Sequence, residues 1–442
     1  RCAFNFLITI KTAIMTKLSK LTLALILSGV ASNSYASNLQ PLQSQLTQLK
    51  QQVDKLESKL AEKKSQQVEQ VSKQLQATST DTAQQEKQSS GIKVGGAIRA
   101  NYGINSYDED NEDRGGDFDF DIFRLNVSGE INDISVNGEI RFYDYMTVVK
   151  YAYLGYEFID GWEAQAGITA VPFGNGPYNS HSYFFSTNYY VGLEDDFDLG
   201  VVAKRKLKDN WTLDLGFFKN DELGGVDGSA SDKNHRYSYD IVGSRPADEG
   251  IYAEPAKQLG EYNTFAGRAT YQLEHSKNIT TDIGVSLLSG GLHDGEDRAG
   301  NYSAWAVHLN SNINNWNIQL QHGEYDYDLD DGNNRFAVGA FDYYDSVSSQ
   351  ATMTNFNIAY DYALEWGPVT NLQFYNDYGI IYNKSDNSAN TWMNVTGMSI
   401  TAGGFFSYVD FVQARNQPFI GGTIIGDGDT ERRFNINLGY YF

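Results

Sequence analysis

The stretch RFNINLGYYF, residues 433–442, alternates without a break. Phe434, Ile436, Leu438, Tyr440 and Phe442 share one face of an extended strand, and Arg433, Asn435, Asn437, Gly439 and Tyr441 share the other. One face is apolar and largely aromatic, whereas the other carries a guanidinium, two amides and a phenol. A strand of this kind fits between a hydrocarbon phase and a polar interior. Working outward from it, the question is whether the rest of the chain keeps the same period.

The chain has 442 residues with a formal net charge of −22, and its mean hydropathy of −0.46 is that of a water-soluble protein. Averages of this kind are blind to alternation. Residues 1–14 read as upstream sequence, and Met15 opens a secretory leader: Lys17 and Lys20, an apolar stretch from Leu21 to Val30, and a small-residue cleavage site at Ser34–Ala36. Cleavage after Ala36 would remove four cations and no acid, taking the charge from −22 to −26, together with Cys2, the single cysteine. Beyond the leader, no apolar run reaches the roughly 18 residues a membrane helix needs. So acidic a chain, with no basic run, excludes nucleic acid as a partner.

Residues 37–75 read as a helical coiled coil. Leu39, Leu42, Leu46, Leu49, Val53, Leu56 and Leu60 step by threes and fours, giving a narrow apolar stripe suited to packing against copies of itself. A lone amphipathic helix folded onto its own chain is the alternative. Residues 76–91 are polar and aperiodic, a linker.

From residue 92 to 442 the period is two. The alternation predicts strands at 92–106, 117–131, 133–147, 148–159, 161–169, 196–207, 210–220 and 260–274. Eight more follow at 278–289, 301–313, 315–327, 352–363, 368–380, 391–404, 405–416 and 431–442. Short turns alternate with long acidic or glycine-rich loops at 107–116, 170–195, 221–259, 289–300, 328–351, 381–390 and 417–430. An even strand count with turns on one side and long loops on the other is the pattern of a transmembrane antiparallel β-barrel of about sixteen strands, an all-β fold. All six tryptophans fall at predicted strand ends, where aromatic girdles meet the membrane interfaces. A soluble sandwich or propeller is the competing fold, and it leaves the tryptophans and the unequal loops without a reason.

In each strand the residues opposite the apolar set turn inward. They include Arg99, Arg124, Glu130, Glu139, Arg141 and Arg268, with many amides and hydroxyls between them. A polar inner face of this extent predicts a water-filled lumen. Arg99, Arg124 and Arg141 are expected at similar heights on adjacent strands, with Lys150 joining from the fourth strand and Arg433 extending the patch from the last. Such a patch either attracts anions at a constriction or is paired with Glu130 and Glu139 in a structural ladder. The 170–195 segment, VPFGNGPYNSHSYFFSTNYYVGLEDD with the next residue included, has many aromatics and neither lysine nor arginine, and it closes on Glu194, Asp195 and Asp196. So apolar a loop is costly in open solvent. It is expected to fold into the barrel, with its acids facing the basic wall.

The stretch WEAQAGITAVPFG followed by LEDDFDLGV, the VKYAYLGYEF strand and the aromatic C-terminus resemble the phosphate-selective porin O and P family over about residues 92–442. The resemblance implies a sixteen-stranded trimeric outer-membrane channel, whose founding members pass phosphate or polyphosphate along an arginine-lined pore. Those channels also place lysines on the inward loop; this chain has none there. The N-terminal coil resembles the periplasmic extension of some sugar porins.

DYDLDDGNN (326–334) invites a calcium-loop reading, but its glycine falls one residue late and the twelfth position is Ala337. The histidines have no metal spacing, and His308 faces the lumen with no catalytic partner evident in the sequence. The reading is therefore a porin for passive diffusion of small hydrophilic solutes and ions. It performs no chemistry and needs no cofactor or metal. A phosphate- or anion-selective channel is the runner-up, and an envelope tether or adhesin the reading from another class. The expected partners are outer-membrane lipid, lipopolysaccharide, the passing solutes and two further copies of the chain, with peptidoglycan a candidate for the coil.

Coils this short are marginal alone, so contacts between barrels should dominate the trimer. Deleting residues 37–90 should leave a conducting trimer that dissociates at a lower temperature in gel electrophoresis. A monomeric, non-conducting product would place the assembly energy in the coil instead.

Overall fold

The computed structural model describes residues 91–159, 161–207, 210–225 and 232–442. The leader, the heptad segment and the polar stretch before Gly91 lie outside the described residues. In chain order the first ten strands are β1 (Gly91–Asn105), β2 (Asp117–Ile131), β3 (Ile134–Phe142), β4 (Thr147–Ile159), β5 (Trp162–Ala170), β6 (Phe197–Lys206), β7 (Trp211–Asn220), β8 (Asp240–Ser244), β9 (Lys257–Gln258) and β10 (Gly260–Ser276). The second ten are β11 (Ile279–His293), β12 (Arg298–Ile313), β13 (Trp316–Leu329), β14 (Arg335–Ala340), β15 (Tyr343–Ser348), β16 (Gln350–Trp366), β17 (Val369–Tyr382), β18 (Thr391–Ala402), β19 (Phe405–Arg415) and β20 (Thr430–Tyr441). One short helix, α1 (Glu109–Arg114), sits in the first long loop, capped by Asp108, whose side chain accepts the Asn111 N–H.

Sixteen of these strands form one closed antiparallel barrel, and they are the sixteen the alternation predicts, within a few residues at most ends. The short turns depend on residues that tolerate a left-handed backbone. Asn132 and Asp133 have φ of 50° and 66°, and Asn314 has 55°. The period of two is visible in the burial. Leu320 opposes Phe356 across β13 and β16, and both are close to half exposed on the outer face. The next rows, Gln319 opposite Asn357 and Gln321 opposite Asn355, are buried inside. In a bilayer the outer row meets lipid.

The 433–442 stretch closes the ring. β20 bonds β19 on one edge and β1 on the other, from Ala97 opposite Tyr441 to Asn105 opposite Arg433. Asn435 and Asn437 are buried inside, and Tyr440 and Phe442 are exposed outside. Phe442 continues the ladder by exchanging both backbone hydrogen bonds with Gly96, at 2.9 and 3.0 Å.

Three features depart from the sequence reading. The outer loops 221–259 and 328–351 are not irregular throughout; they contribute β8, β9, β14 and β15, a separate four-stranded sheet. Every residue of β8, and all but the first of β14 and β15, is buried. A strand covered on both faces shows no alternation, so the pattern had nothing to detect. The expected loop at 289–300 shrinks to a tight turn, since β11 runs to His293 and β12 starts at Arg298. Because β12 begins early, Trp305 lies in mid-strand, while Trp162, Trp211, Trp316, Trp366 and Trp392 stand at or next to strand ends.

The Phe442 ring lies over Gly96, where a Cβ would come within 2.7 Å of the ring and 2.4 Å of the Arg124 carbonyl. Gly96→Val should therefore pry the seam, costing about 1–3 kcal/mol and lowering the temperature at which the folded band disappears in electrophoresis. Gly91→Val, with nothing within 4 Å of its Cβ, should leave that temperature unchanged.

Candidate functional site

The segment between β5 and β6 crosses the inside of the barrel and bonds to both walls. On the far wall, Ser286 Oγ accepts the Gly174 N–H at 3.0 Å, Gln321 Oε1 accepts the Asn175 N–H at 2.8 Å, and Asn357 donates to the Asn179 carbonyl at 2.6 Å. Asp377 takes the backbone N–H groups of His181 and Ser182, both at 2.8 Å. On the near wall, Tyr183 accepts from Asn101 and donates to Asp121, each at 3.1 Å. The loop's aromatics explain its path. Phe184, Tyr189 and Tyr190 are almost fully buried, and burying each such side chain stabilises by about 1.5–3 kcal/mol. Much of the polar inner face is thus occupied by the loop itself, a correction to a lumen lined throughout by water.

The basic wall forms, with partners that strict alternation does not supply. Arg124 and Arg141 are direct cross-strand neighbours. Glu139 lies between them, 2.7 Å from Arg141 Nε and 3.5 Å from an Arg124 nitrogen. Arg99 instead pairs with Asp121 at 2.8 Å. Counting by twos from Arg124 turns Asp121 outward, but a register shift between Arg99 and Ala100 inserts an extra residue in β2 and brings Asp121 inside. A second shift, beside Glu139, does the same for Lys150 on β4. Lys150 is buried and its ammonium contacts both Asp195 oxygens, at 2.7 and 2.9 Å. Arg433 holds Asn435 and the Tyr107 hydroxyl, lies over the Phe184 ring, and has no carboxylate partner among the described residues.

The remaining predicted site residues lie elsewhere. Glu130 is exposed at the turn end of β2, far along the strand from the arginines it was expected to pair with. Glu194 points into its own loop, where it accepts the Asn179 and Ser186 N–H groups and the Ser186 hydroxyl. Burial pushes its carboxyl up to about 7. Asp196 joins a group of buried carboxylates behind the loop. Of the three loop acids expected to face the basic wall, only Asp195 does so, and it is neutralised by Lys150. Arg268 bonds the Gly174 carbonyl at 2.7 Å and Asp214 at 3.2 Å, so it anchors the loop rather than joining the patch. His308, for which the sequence shows no partner, has Ser286 Oγ 3.2 Å from its Nε2, but both are sealed under the loop and Ser286 holds Gly174.

Between the near wall and the loop lies a cavity of about 460 Å³ lined by Arg99, Arg124, Arg141 and Arg433. Tyr237, Phe341 and Phe419, from three different outer loops, also line it. Phe341 stacks edge-on with Phe419 at 6.0 Å and sits 5.4 Å from Tyr237. None of these aromatics, nor Asp121 or Asp377, was singled out from the sequence. They act through contacts between segments remote in the chain, and only a foreseen bulge could have exposed Asp121. Four guanidiniums against two carboxylates, Asp121 and Glu139, leave an excess of two positive charges around an aromatic-walled space.

No family model and no curated protein matches the sequence. Among solved structures, the anion-selective porin from Comamonas acidovorans aligns with 80% of this chain and 100% of its own, at 7% identity and a TM-score of 0.50. The outer-membrane expressed OmpT of Vibrio cholerae aligns over 79% of this chain and 97% of its own, at 12% identity and a TM-score of 0.48. The closed sixteen-stranded barrel is thus a fold shared with that anion-selective porin.

The Lys150–Asp195 pair is buried, and breaking such a pair leaves an uncompensated charge at a cost of about 3–5 kcal/mol. Lys150→Met should release the base of the loop, seen as new proteolytic cleavage within residues 171–196. Lys150→Met with Asp195→Asn should restore protection. Equal resistance of single variant and wild type would show that the other loop bonds suffice.

Proposed function

We propose that this chain is an outer-membrane porin, a channel for passive diffusion of small hydrophilic solutes and ions that favours anions. The observation that carries the reading is the unbalanced charge at the constriction. Arg99, Arg124, Arg141 and Arg433 line one cavity, and two of the four charges have no carboxylate to offset them. Guanidinium stays charged at any accessible pH, so the excess is permanent. In a narrow space with low-dielectric walls it raises the local anion concentration. The acids of the outer loops contribute little at this depth, because screening acts over about 10 Å at 0.1 M salt.

A preference for phosphate within the anions is favoured by one geometric fact. Arg124 and Arg141 face each other across two strands, and paired guanidiniums bind phosphate oxygens in bidentate fashion. The homotrimer and the periplasmic coil belong to the same proposal, as does residence among outer-membrane lipid and lipopolysaccharide.

The test is the reversal potential of single channels in a salt gradient. The triple change of Arg99, Arg124 and Arg141 to Ala should move it toward cation preference, more at low salt than at high. Neutralising Asp108, Glu109 and Asp110, which flank and open α1, should move it far less. Unaltered ion preference in the triple variant would reduce the wall to a structural ladder. Phosphate that fails to block chloride current in the wild type would remove the phosphate preference alone.

A further inference from the structure

Away from the constriction, where β6, the end of the inward loop and the outer sheet meet, six carboxylates lie together and three of them pair with one fully buried guanidinium. Arg236 reaches Asp221, Glu222 and Asp240 at 2.8, 3.1 and 2.9 Å. Glu222 also accepts the N–H groups of Tyr237 and Ser238, at 2.9 and 3.0 Å. Glu261 accepts the hydroxyls of Tyr302 and Tyr327. These groups are satisfied by protein donors.

Asp196, Asp198 and Asp240 are arranged differently. One oxygen from each converges, the three atoms lying within 4.8 Å of one another. Asp198 is 2% exposed, and its Oδ1 is buried with no donor in reach; Oδ1 of Asp196 is in the same condition. Leaving a buried charged oxygen unpaired is costly, and the three repel one another besides. On the protein side Arg236 and Glu222 bond Asp240, and the Ser238 hydroxyl and Phe197 N–H bond Asp196, but these leave Oδ1 of Asp196 and Oδ1 of Asp198 without a donor.

We propose that these three aspartates bind a calcium ion. Oxygens no more than 4.8 Å apart all lie within about 2.8 Å of a common centre, close to the 2.3–2.6 Å at which calcium takes carboxylate ligands. Magnesium prefers about 2.0–2.1 Å in a strict octahedron, and the lack of any histidine or cysteine in the cluster argues against softer metals. The ion would join three parts of the fold. Asp196 closes the base of the inward loop, its carbonyl accepting the Val171 N–H at 3.0 Å. Asp198 belongs to the wall strand β6, and Asp240 opens β8 of the outer sheet. A bound cation therefore pins the loop and the outer sheet to the barrel, beside the aromatic residues that roof the cavity.

The test uses the full chain, folded in detergent, stripped of lipopolysaccharide and treated with chelator. Calcium binding is measured by equilibrium dialysis, with thermal unfolding followed in parallel. The wild type should take up one ion per chain in this cluster, and Asp198→Asn should weaken that uptake roughly tenfold or more. The stability order should also cross. In chelator, Asp198→Asn should unfold at a higher temperature than the wild type, because a repelling charge is gone. In millimolar calcium the wild type should rise above it. Asp196→Asn, at the less buried corner, replaces Asp198→Asn if the latter does not fold. Uptake equal in variant and wild type would place the ion elsewhere. No uptake at all, with the variant more stable at every calcium level, would show that shared protons neutralise the cluster. Either result overturns the proposal.

Discussion

A backbone amide in the hydrocarbon of a bilayer has no water to bond, so each N–H and C=O must find its partner within the protein. In this chain that requirement is met by the pairing of β1 with β20, two strands more than three hundred residues apart. Once they pair, no barrel strand has a free edge. Closure also decides direction: alternate side chains must face either lipid or lumen, so Leu320 and Phe356 stand outside while Gln319 and Asn357 stand inside. The Phe442 ring over Gly96 covers the last step of the seam.

Turning polar residues inward creates a second requirement, because a buried donor or acceptor left unpaired costs about 1–3 kcal/mol. The inward loop meets it on the far wall, where Ser286, Gln321, Asn357 and Asp377 all bond loop backbone. On the near wall Arg99, Arg141 and Lys150 meet it by pairing with Asp121, Glu139 and Asp195. The two β-bulges matter here, since they bring Asp121 to Arg99 and Lys150 to Asp195. A buried ion pair adds little net stability. What this one supplies is position: it fixes the loop's base against the wall at one height.

The cavity that results has two components of different origin. Its charge comes from the wall, where four guanidiniums outnumber the two carboxylates beside them. Its shape comes from aromatics delivered by the loop and by three outer segments. Contacts such as Tyr189 on Tyr239, at 5.2 Å, are each worth about 0.5–1.5 kcal/mol beyond area burial. Together they hold the outer segments down over the opening.

Much of the architecture was legible in the linear pattern, because a strand between lipid and water must alternate, and alternation survives in one dimension. The sixteen barrel strands, the inward direction of Arg99, Arg124, Arg141 and Arg433, and the entry of the aromatic loop all follow from that rule. The four strands of the outer sheet escaped it, being buried on both faces. Asp121 escaped it because one inserted residue reverses parity. Glu194, Asp195 and Asp196 were expected at the basic wall together, as the acidic end of the inward loop. Consecutive residues in a turning loop point in different directions, however, and only one of the three reaches the basic wall. Periodicity by itself determined which face of each strand is wet. Which charges neutralise one another was decided by the tertiary structure, because pairing depends on distances of a few ångströms between segments that the chain order does not bring together.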